Sequence, residues 1–149
     1  MSCCSHSPKT SPKHCPMCEE KGTNVSYRTM LHHVISPENQ NLSRENFFFC
    51  GQNACKVVYF SKQTNLFKHQ LRVFQEYEED MLCYCFGVSK KQFQQALKEE
   101  KAEGIKDFIL KNTKESLCAC EVRNPSGRCC WGGFLKMEEV YEKDVKNHV

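Results

Sequence analysis

The twelve cysteines of this chain occur as six close pairs, and this arrangement limits how the chain can fold more than any other feature. Two neighbouring cysteines suit two ligands that close on one metal ion, and long-range disulfide staples need no such pairing. The N-terminus has no apolar stretch typical of a secretory signal peptide, so we expect a cytoplasmic, reducing setting in which structural disulfides are rare. Metal sites are therefore favoured over a disulfide framework. The pairs are Cys3-Cys4, Cys15-x2-Cys18, Cys50-x4-Cys55, Cys83-x-Cys85, Cys118-x-Cys120 and Cys129-Cys130.

Composition and motifs exclude several classes of protein. The net charge is +3, from 21 basic and 18 acidic residues, which is too balanced to indicate a nucleic-acid partner. No apolar run approaches the roughly 18 residues of a membrane-spanning helix, so no membrane insertion is expected. No P-loop, dinucleotide fingerprint, nucleophile elbow or zinc-protease motif occurs, so we predict no catalytic residues and do not expect an enzyme.

The first half of the chain predicts a small β-rich subdomain. Residues 1–14 are rich in Ser, Pro and Lys and predict a disordered tail. Residues 15–75 form the predicted β-rich subdomain. Within it, the alternation of apolar and polar residues over 25–35 predicts a strand, and the aromatic and β-branched runs at 47–50 and 56–60 predict two more.

The second half predicts a small helical subdomain, so the expected fold class is α+β. Residues 76–82 are an acidic linker, and the helical subdomain spans 83–149. Ser89 and Gln92 match a capping box, which predicts a helix start, and Gly104 is expected to end that helix. Two further helices are predicted, one ending near Lys114 and one spanning 134–146.

The first two inner cysteine pairs predict a zinc site. Cys15 and Cys18 form a C-x2-C turn, and Cys50 and Cys55 follow after 31 intervening residues. Two such pairs supply the four thiolates of a closed, tetrahedral zinc site, which has no open position for a substrate. A small β-rich segment with a thin core needs a staple of this kind. A histidine is the alternative to one thiolate, and the candidates are His14, His32 and His33.

The remaining cysteines predict a second metal site in the helical half. A [2Fe–2S] cluster needs four thiolates, and six are available there. Side chains of adjacent residues point apart, so only one of a Cys-Cys pair is expected to be a ligand. A second zinc ion fits the same residue types, and ligand chemistry alone does not separate the two metals. The candidates are Cys83, Cys85, Cys118, Cys120, Cys129 and Cys130.

Four segments in the order CPMC, FFFCGQNACKVVYF, CYC and NPSGRCC carry a family resemblance. Over about residues 15–131 the chain resembles the N-terminal zinc and [2Fe–2S] domain of CopZ-type copper chaperones. The second half is also similar to bacterioferritin-associated ferredoxin domains. The resemblance implies zinc at Cys15, Cys18, Cys50 and Cys55. It implies the cluster at Cys83, Cys85, Cys120 and Cys130, with Cys129 and Cys118 as alternates.

The resemblance also indicates a function. It implies a zinc and [2Fe–2S] protein of one-electron transfer or metal handling that reduces Cu(II) to Cu(I) in copper homeostasis. A redox partner or a copper-handling protein is the expected partner. Those chaperones also have a copper-carrying domain with an M-x-C-x-x-C loop. We expect no counterpart of that domain among residues 1–149. Cys3 and Cys4 are candidate Cu(I) ligands, because thiolates favour that soft ion.

Two other functions stay open. In the first, both metal sites hold structural zinc and the chain is a non-redox adaptor. In the second, the surplus thiolates form a copper store or sensor. Iron content and visible absorption separate the first of these from a cluster protein, since a zinc protein is colourless.

Overall fold

A computed structural model of the chain describes residues 12–147 and has the predicted α+β architecture. The chain divides into two compact units. Unit 1 contains the residues up to Glu76 together with Pro125–Gly127, and unit 2 contains Tyr77–Asn124 together with the residues from Arg128 onward. Among the described residues, no helix has both the length and the apolar character needed to cross a membrane.

Unit 1 is built on a four-stranded antiparallel sheet whose strands follow one another in chain order. Aromatic and β-branched residues form the two central strands, and such side chains pack well on a pleated surface. The predicted runs at 47–50 and 56–60 are strands, and a fourth strand at the sheet edge was not predicted. The strands are β1 (Thr23–Val25), β2 (Phe47–Phe49), β3 (Val57–Phe60) and β4 (Asn65–Phe67).

Both faces of this sheet are covered, which explains why every residue of β3 is buried. One cluster of buried side chains includes Met30, Tyr59 and Leu71 and forms an ordinary apolar core. A separate cluster packs Phe48 and Phe60 together with Cys15, Cys50 and Cys55. The cysteines of unit 1 therefore complete a second, smaller core.

The prediction of a strand over residues 25–35 is wrong. Only Val25 belongs to a strand, and helix α1 spans Tyr27–His33. The Ser26 side chain accepts a hydrogen bond from the backbone N–H of Thr29 at 3.1 Å and so caps the helix. The buried residues of α1 are Thr29, Met30 and His33, which have helical spacing. The helical spacing of the buried residues and the cap at Ser26 outweigh the period-two alternation of apolar residues. Leu31, an apolar residue of that alternation, is 40% exposed. A short helix, α2 (Val73–Glu76), follows later in unit 1.

Unit 2 consists of a short hairpin followed by helices. The Ser89 side chain accepts a hydrogen bond from the N–H of Gln92 at 3.0 Å, so the predicted helix start is confirmed. The rings of Phe93 and Phe134 meet edge to face with centroids 4.9 Å apart in the middle of the core. The elements are β5 (Met81–Cys83), β6 (Val88–Ser89), α3 (Lys90–Lys98), α4 (Ala102–Lys114), α5 (Cys120–Arg123) and α6 (Trp131–Asn147).

The expectation that Gly104 ends the first helix of unit 2 is wrong. Helix α3 ends earlier, at Lys98, and Glu100 takes a left-handed conformation with φ of 59° in the connection. Gly104 lies in the first turn of α4, and a Cβ there would meet nothing within 4 Å. A glycine at an exposed helical position costs only about 1 kcal/mol relative to alanine, so α4 tolerates it.

Candidate metal centres

Two chain turns deliver the four cysteine sulfurs of unit 1. The turn that holds Cys15 and Cys18 precedes β1, and in it the N–H of Glu19 donates to the Cys15 carbonyl at 2.8 Å. The second turn connects β2 to β3, and in it the N–H of Cys55 donates to the Gln52 carbonyl at 3.1 Å. Since β2 and β3 are adjacent, this connection is short and holds Cys50 and Cys55 side by side.

The four sulfurs of unit 1 meet in one compact set. The Cys15 and Cys55 Sγ atoms are 3.7 Å apart, and the Cys18 and Cys50 Sγ atoms are 3.5 Å apart. All four sulfurs lie within 4.8 Å of one another. A tetrahedral zinc ion with Zn–S bonds of about 2.3 Å requires sulfurs about 3.8 Å apart, so this donor set fits zinc. Of the residues between 12 and 147, no histidine joins the set, which leaves out His14, His32 and His33.

Burial makes this sulfur set unfavourable as four free thiolates. Burial is the main cause that raises the pKa of Cys50 and of Cys55. Burial also acts to raise the pKa of Cys15, but hydrogen bonds from the backbone N–H groups of Cys18 and Met17 hold it below its usual value. A divalent cation held by Cys15, Cys18, Cys50 and Cys55 would compensate the charges of the four thiolates.

The sulfurs of unit 2 are arranged differently, in a row joined by hydrogen bonds, and Cys130 contacts both Cys83 and Cys120. The Cys85 thiol donates a hydrogen bond to the Cys120 sulfur at 3.7 Å. A second hydrogen bond joins the side chains of Cys83 and Cys130. Cys83 ends β5, Cys85 follows in the hairpin turn, Cys120 begins α5 and Cys130 directly precedes α6. Within residues 12–147, no three of these sulfurs form a set as compact as that of unit 1.

Three of the unit 2 cysteines have pKa values that are shifted in different directions. The hydrogen bond from Cys130 lowers the pKa of Cys83 to about 6. The same hydrogen bond, together with burial, raises the pKa of Cys130. Burial raises the pKa of Cys85 to about 12. Cys83 therefore loses its proton more readily than Cys130 does.

Two backbone N–H groups point at these sulfurs. The N–H of Phe86 donates to the Cys83 sulfur at 3.3 Å, and the N–H of Ala119 donates to the Cys85 sulfur at 3.0 Å. Hydrogen bonds of this kind stabilise thiolates and tune the potential of a metal that the thiolates hold. The sequence carries no signal for them, because they depend on the conformations of the turns.

The other predicted site residues lie outside these pairs. Cys118 is half-buried and Cys129 is exposed, and both are free cysteines. Cys3 and Cys4, the candidate copper ligands, lie outside the described residues. The close sulfur contacts join cysteines from different sequence pairs, and in unit 1 both sequence pairs contribute to one compact set. Tertiary structure thus decides which thiols meet.

An antiparallel sheet that carries a compact set of four cysteine sulfurs defines a zinc-binding domain. Residues 12–72 match the CopZ family of zinc-binding domains. The chain is 33% identical over 120 residues to the copper chaperone CopZ of Archaeoglobus fulgidus. The aligned region covers 78% of this chain and 57% of that protein. The chain thus spans little more than half the length of this curated relative.

A solved structure extends the similarity through both units. The X-ray structure of the Archaeoglobus fulgidus CopZ N-terminal domain superposes with a TM-score of 0.65 and 30% sequence identity. The match covers 84% of this chain and 97% of that domain. The chain therefore belongs to the family of the CopZ N-terminal domain.

Proposed function

We propose that this chain is a metal-handling protein of copper homeostasis in which a structural zinc site supports a redox-active [2Fe–2S] site. The sulfur geometry of the two units carries this proposal. The proposed zinc ligands are Cys15, Cys18, Cys50 and Cys55, and the proposed cluster ligands are Cys83, Cys85, Cys120 and Cys130.

The zinc assignment is supported by the compact tetrahedral spacing in unit 1. The sulfurs of Cys15 and Cys55 and those of Cys18 and Cys50 are at the separations that Zn–S bonds require. Four thiolates leave no open position on the ion, so the site holds the two turns together and does not activate a substrate. This is the role expected of a metal that completes a small core.

The cluster assignment is supported by the more extended arrangement of the unit 2 sulfurs, in which hydrogen bonds join Cys85 to Cys120 and Cys130 to both Cys120 and Cys83. A [2Fe–2S] cluster has two irons joined by two sulfides, so its four thiolates belong in pairs, one pair on each iron. Cys85 and Cys120, whose sulfurs are 3.7 Å apart, would bind one iron, and Cys83 and Cys130 would bind the other. A second zinc ion would instead require all four sulfurs in a single tetrahedral shell, like that of unit 1.

The proposed function follows from these two sites and from the relative's name. The matched relative is a copper chaperone, and thiolates carry copper as Cu(I). A [2Fe–2S] cluster supplies one electron, which is the number needed to convert one Cu(II) to one Cu(I). The residues of this chain hold the cluster in place and direct the N–H groups of Phe86 and Ala119 at its proposed ligands.

Metal analysis of anaerobically purified full-length protein tests this proposal. We expect one zinc, two irons and two sulfides per chain, with an S = 1/2 EPR signal after reduction with dithionite. Addition of Cu(II) to the reduced protein should then bleach that signal and yield Cu(I) in equal amount. Two zinc ions and no iron would contradict the redox function and would support a structural adaptor.

Matched serine variants test the ligand assignment. Cys120→Ser and Cys118→Ser change cysteines two positions apart, as do Cys130→Ser and Cys129→Ser at adjacent positions. We expect the iron content to fall in Cys120→Ser and Cys130→Ser and to persist in the two control variants. Loss of iron in Cys118→Ser with full retention in Cys120→Ser would contradict the assigned pairs.

A further inference from the structure

The loop that connects α5 to α6 lies between two of the proposed cluster ligands. Cys120 is the first residue of α5, and Cys130 directly precedes α6. The middle of this loop, Pro125–Gly127, belongs to unit 1, whereas both cysteines belong to unit 2. The proposed function assigns the two cysteines to the cluster and gives no role to the residues that hold the loop between them.

Two buried side chains of unit 1 hold the middle of this loop. The hydroxyl of Tyr59, a fully buried residue of β3, donates a hydrogen bond to the carbonyl of Pro125. Gly127 packs against the buried side chain of Thr29, and a Cβ on Gly127 would collide with the Thr29 hydroxyl. That hydroxyl is itself hydrogen-bonded to the side chain of Ser26, at 2.9 Å. The loop is therefore held by side chains that have fixed positions in unit 1.

The held part of the loop is close to Cys130 along the chain. Only Arg128 and Cys129 separate Gly127 from Cys130, and this length of chain spans at most about 11 Å. On the other side of Cys130, the N–H of Gly133 in α6 donates to the Cys130 carbonyl at 3.0 Å. The position of Gly127 and the start of α6 together limit where Cys130 can lie.

The held part of the loop is also connected to Cys120. Asn124 directly precedes Pro125, and the N–H of Asn124 donates to the Cys120 carbonyl at 3.0 Å. One turn of α5 thus joins Cys120 to the part of the loop that Tyr59 holds. The contacts of Pro125–Gly127 therefore constrain one proposed cluster ligand on each side.

We propose that Tyr59 is a positioning residue for the second metal site, because it holds the loop that keeps Cys130 in place as a ligand. Thr29 supports the same loop through its contact with Gly127. Tyr59 itself does not touch the metal. This inference rests on the proposed role of Cys130 as a cluster ligand, and it makes the folded unit 1 a requirement for the second site.

Alkylation of Cys130 tests this role without requiring a cluster. Full-length protein is purified anaerobically from iron-limited, zinc-supplemented medium and treated with iodoacetamide, and mass spectrometry follows each cysteine. Cys130 is buried, so the loop must open before its thiol reacts. In Tyr59→Phe we expect Cys130 to react about tenfold faster, the effect of one lost buried hydrogen bond on an opening equilibrium. Tyr27→Phe, which removes a hydroxyl from α1 in the same unit, is the matched control and should react like wild type.

A second variant changes the loop and leaves β3 intact. In Gly127→Ala the added Cβ collides with the Thr29 hydroxyl, so we expect Cys130 to react faster here as well. Amide hydrogen exchange in α3 shows whether unit 2 unfolds as a whole. The positioning role is wrong if Cys130 reacts at the wild-type rate in both Tyr59→Phe and Gly127→Ala. It is also wrong if exchange in α3 increases as much as the reaction of Cys130.

Iron-replete samples separate this inference from the proposed function. We expect Tyr59→Phe to keep its zinc and to hold less iron than wild type, or to show a reduced EPR signal with shifted g values. Wild-type iron content and an unchanged EPR signal in both loop variants would overturn the positioning role. A wild-type protein without iron would contradict the proposed cluster, and the alkylation of Cys130 would still decide whether Tyr59 positions this cysteine.

Discussion

Unit 1 and unit 2 use the same number of proposed cysteine ligands in two different arrangements. In unit 1 two turns at one end of a sheet bring four sulfurs into a single set within 4.8 Å. In unit 2 the sulfurs come from a hairpin and from the starts of two helices, and among the described residues hydrogen bonds join them without a single compact set. How closely cysteine sulfurs gather thus depends on the elements that deliver them, and the residue type alone does not decide it.

The largest expected effect is the loss of zinc from unit 1. Cys50→Ala removes a buried sulfur from the compact set, and zinc-dependent folding energies are on the order of 10 kcal/mol. We expect unit 1 to unfold and the zinc content to fall to zero. Circular dichroism follows the whole chain, while the single tryptophan, Trp131, reports on unit 2 by its fluorescence.

The control for that variant is Cys129→Ala, which changes an exposed cysteine in unit 2. It should leave the zinc content and the circular dichroism unchanged. If Cys50→Ala keeps a folded unit 1 at neutral pH without zinc, the apolar core on the other face of the sheet is sufficient by itself. In that case, unit 1 would not need its metal site in order to fold.

A smaller effect is expected from the core of unit 2. Phe93→Ala removes a fully buried ring that stacks edge to face on Phe134. The cost is about 3–5 kcal/mol, as for other buried aromatic residues. In denaturant titrations we expect the unfolding transition followed by Trp131 fluorescence to occur at a lower denaturant concentration. The zinc content should stay at the wild-type value, and a parallel loss of zinc would show that the units do not respond separately.

The third prediction concerns one hydrogen bond in unit 1, between the side chain of Tyr59 and the backbone of Pro125. The hydroxyl of Tyr59, which is fully buried, donates to the carbonyl of Pro125. Tyr59→Phe leaves that carbonyl without this donor, at a cost of about 1–3 kcal/mol. Thermal unfolding should show a lower midpoint for unit 1. Tyr141→Phe, at a half-buried position in α6, is the control and should change little.

The smallest effect concerns pH and is absent at neutrality. Burial, with smaller contributions from Asp80 and Tyr77, raises the pKa of Tyr84 from 10.0 to about 12. Because the folded pKa lies above the unfolded one, the neutral phenol stabilises the fold fully below pH 10, and this contribution is lost as the pH rises to 12. In an ultraviolet titration, Tyr84→Phe should therefore lack the phenol ionisation that the wild-type protein shows near pH 12. An unchanged titration curve would contradict the burial of this ring.

Local signals in the sequence predicted part of this structure. The aromatic runs of β2 and β3 and the cap at Ser89 depend on near neighbours, and they occur as expected. The alternation that begins at Val25 failed because the cap at Ser26 and the buried residues of α1 favour a helix. Gly104 failed as a helix end because its helical position is exposed and open.

The candidate ligand residues could be predicted from the sequence, but the arrangement of their sulfur atoms could not. Motif spacing pointed to all four cysteines of the unit 1 set, and the structure brings them together, while their role as zinc ligands stays a prediction. The contact of Cys85 with Cys120 spans 35 positions, so no local pattern reports it.

The tripeptide Pro125–Gly127 belongs to unit 1 although the chain on both sides of it belongs to unit 2. Gly127 has φ of 73°, and a Cβ there would lie 2.9 Å from the Thr29 hydroxyl, so other residues fit poorly. A gene cut after Glu76 would therefore encode unit 1 without three of its own residues. Recombination cannot exchange either unit as one uninterrupted stretch of DNA, and we expect evolution to have passed on the two units together.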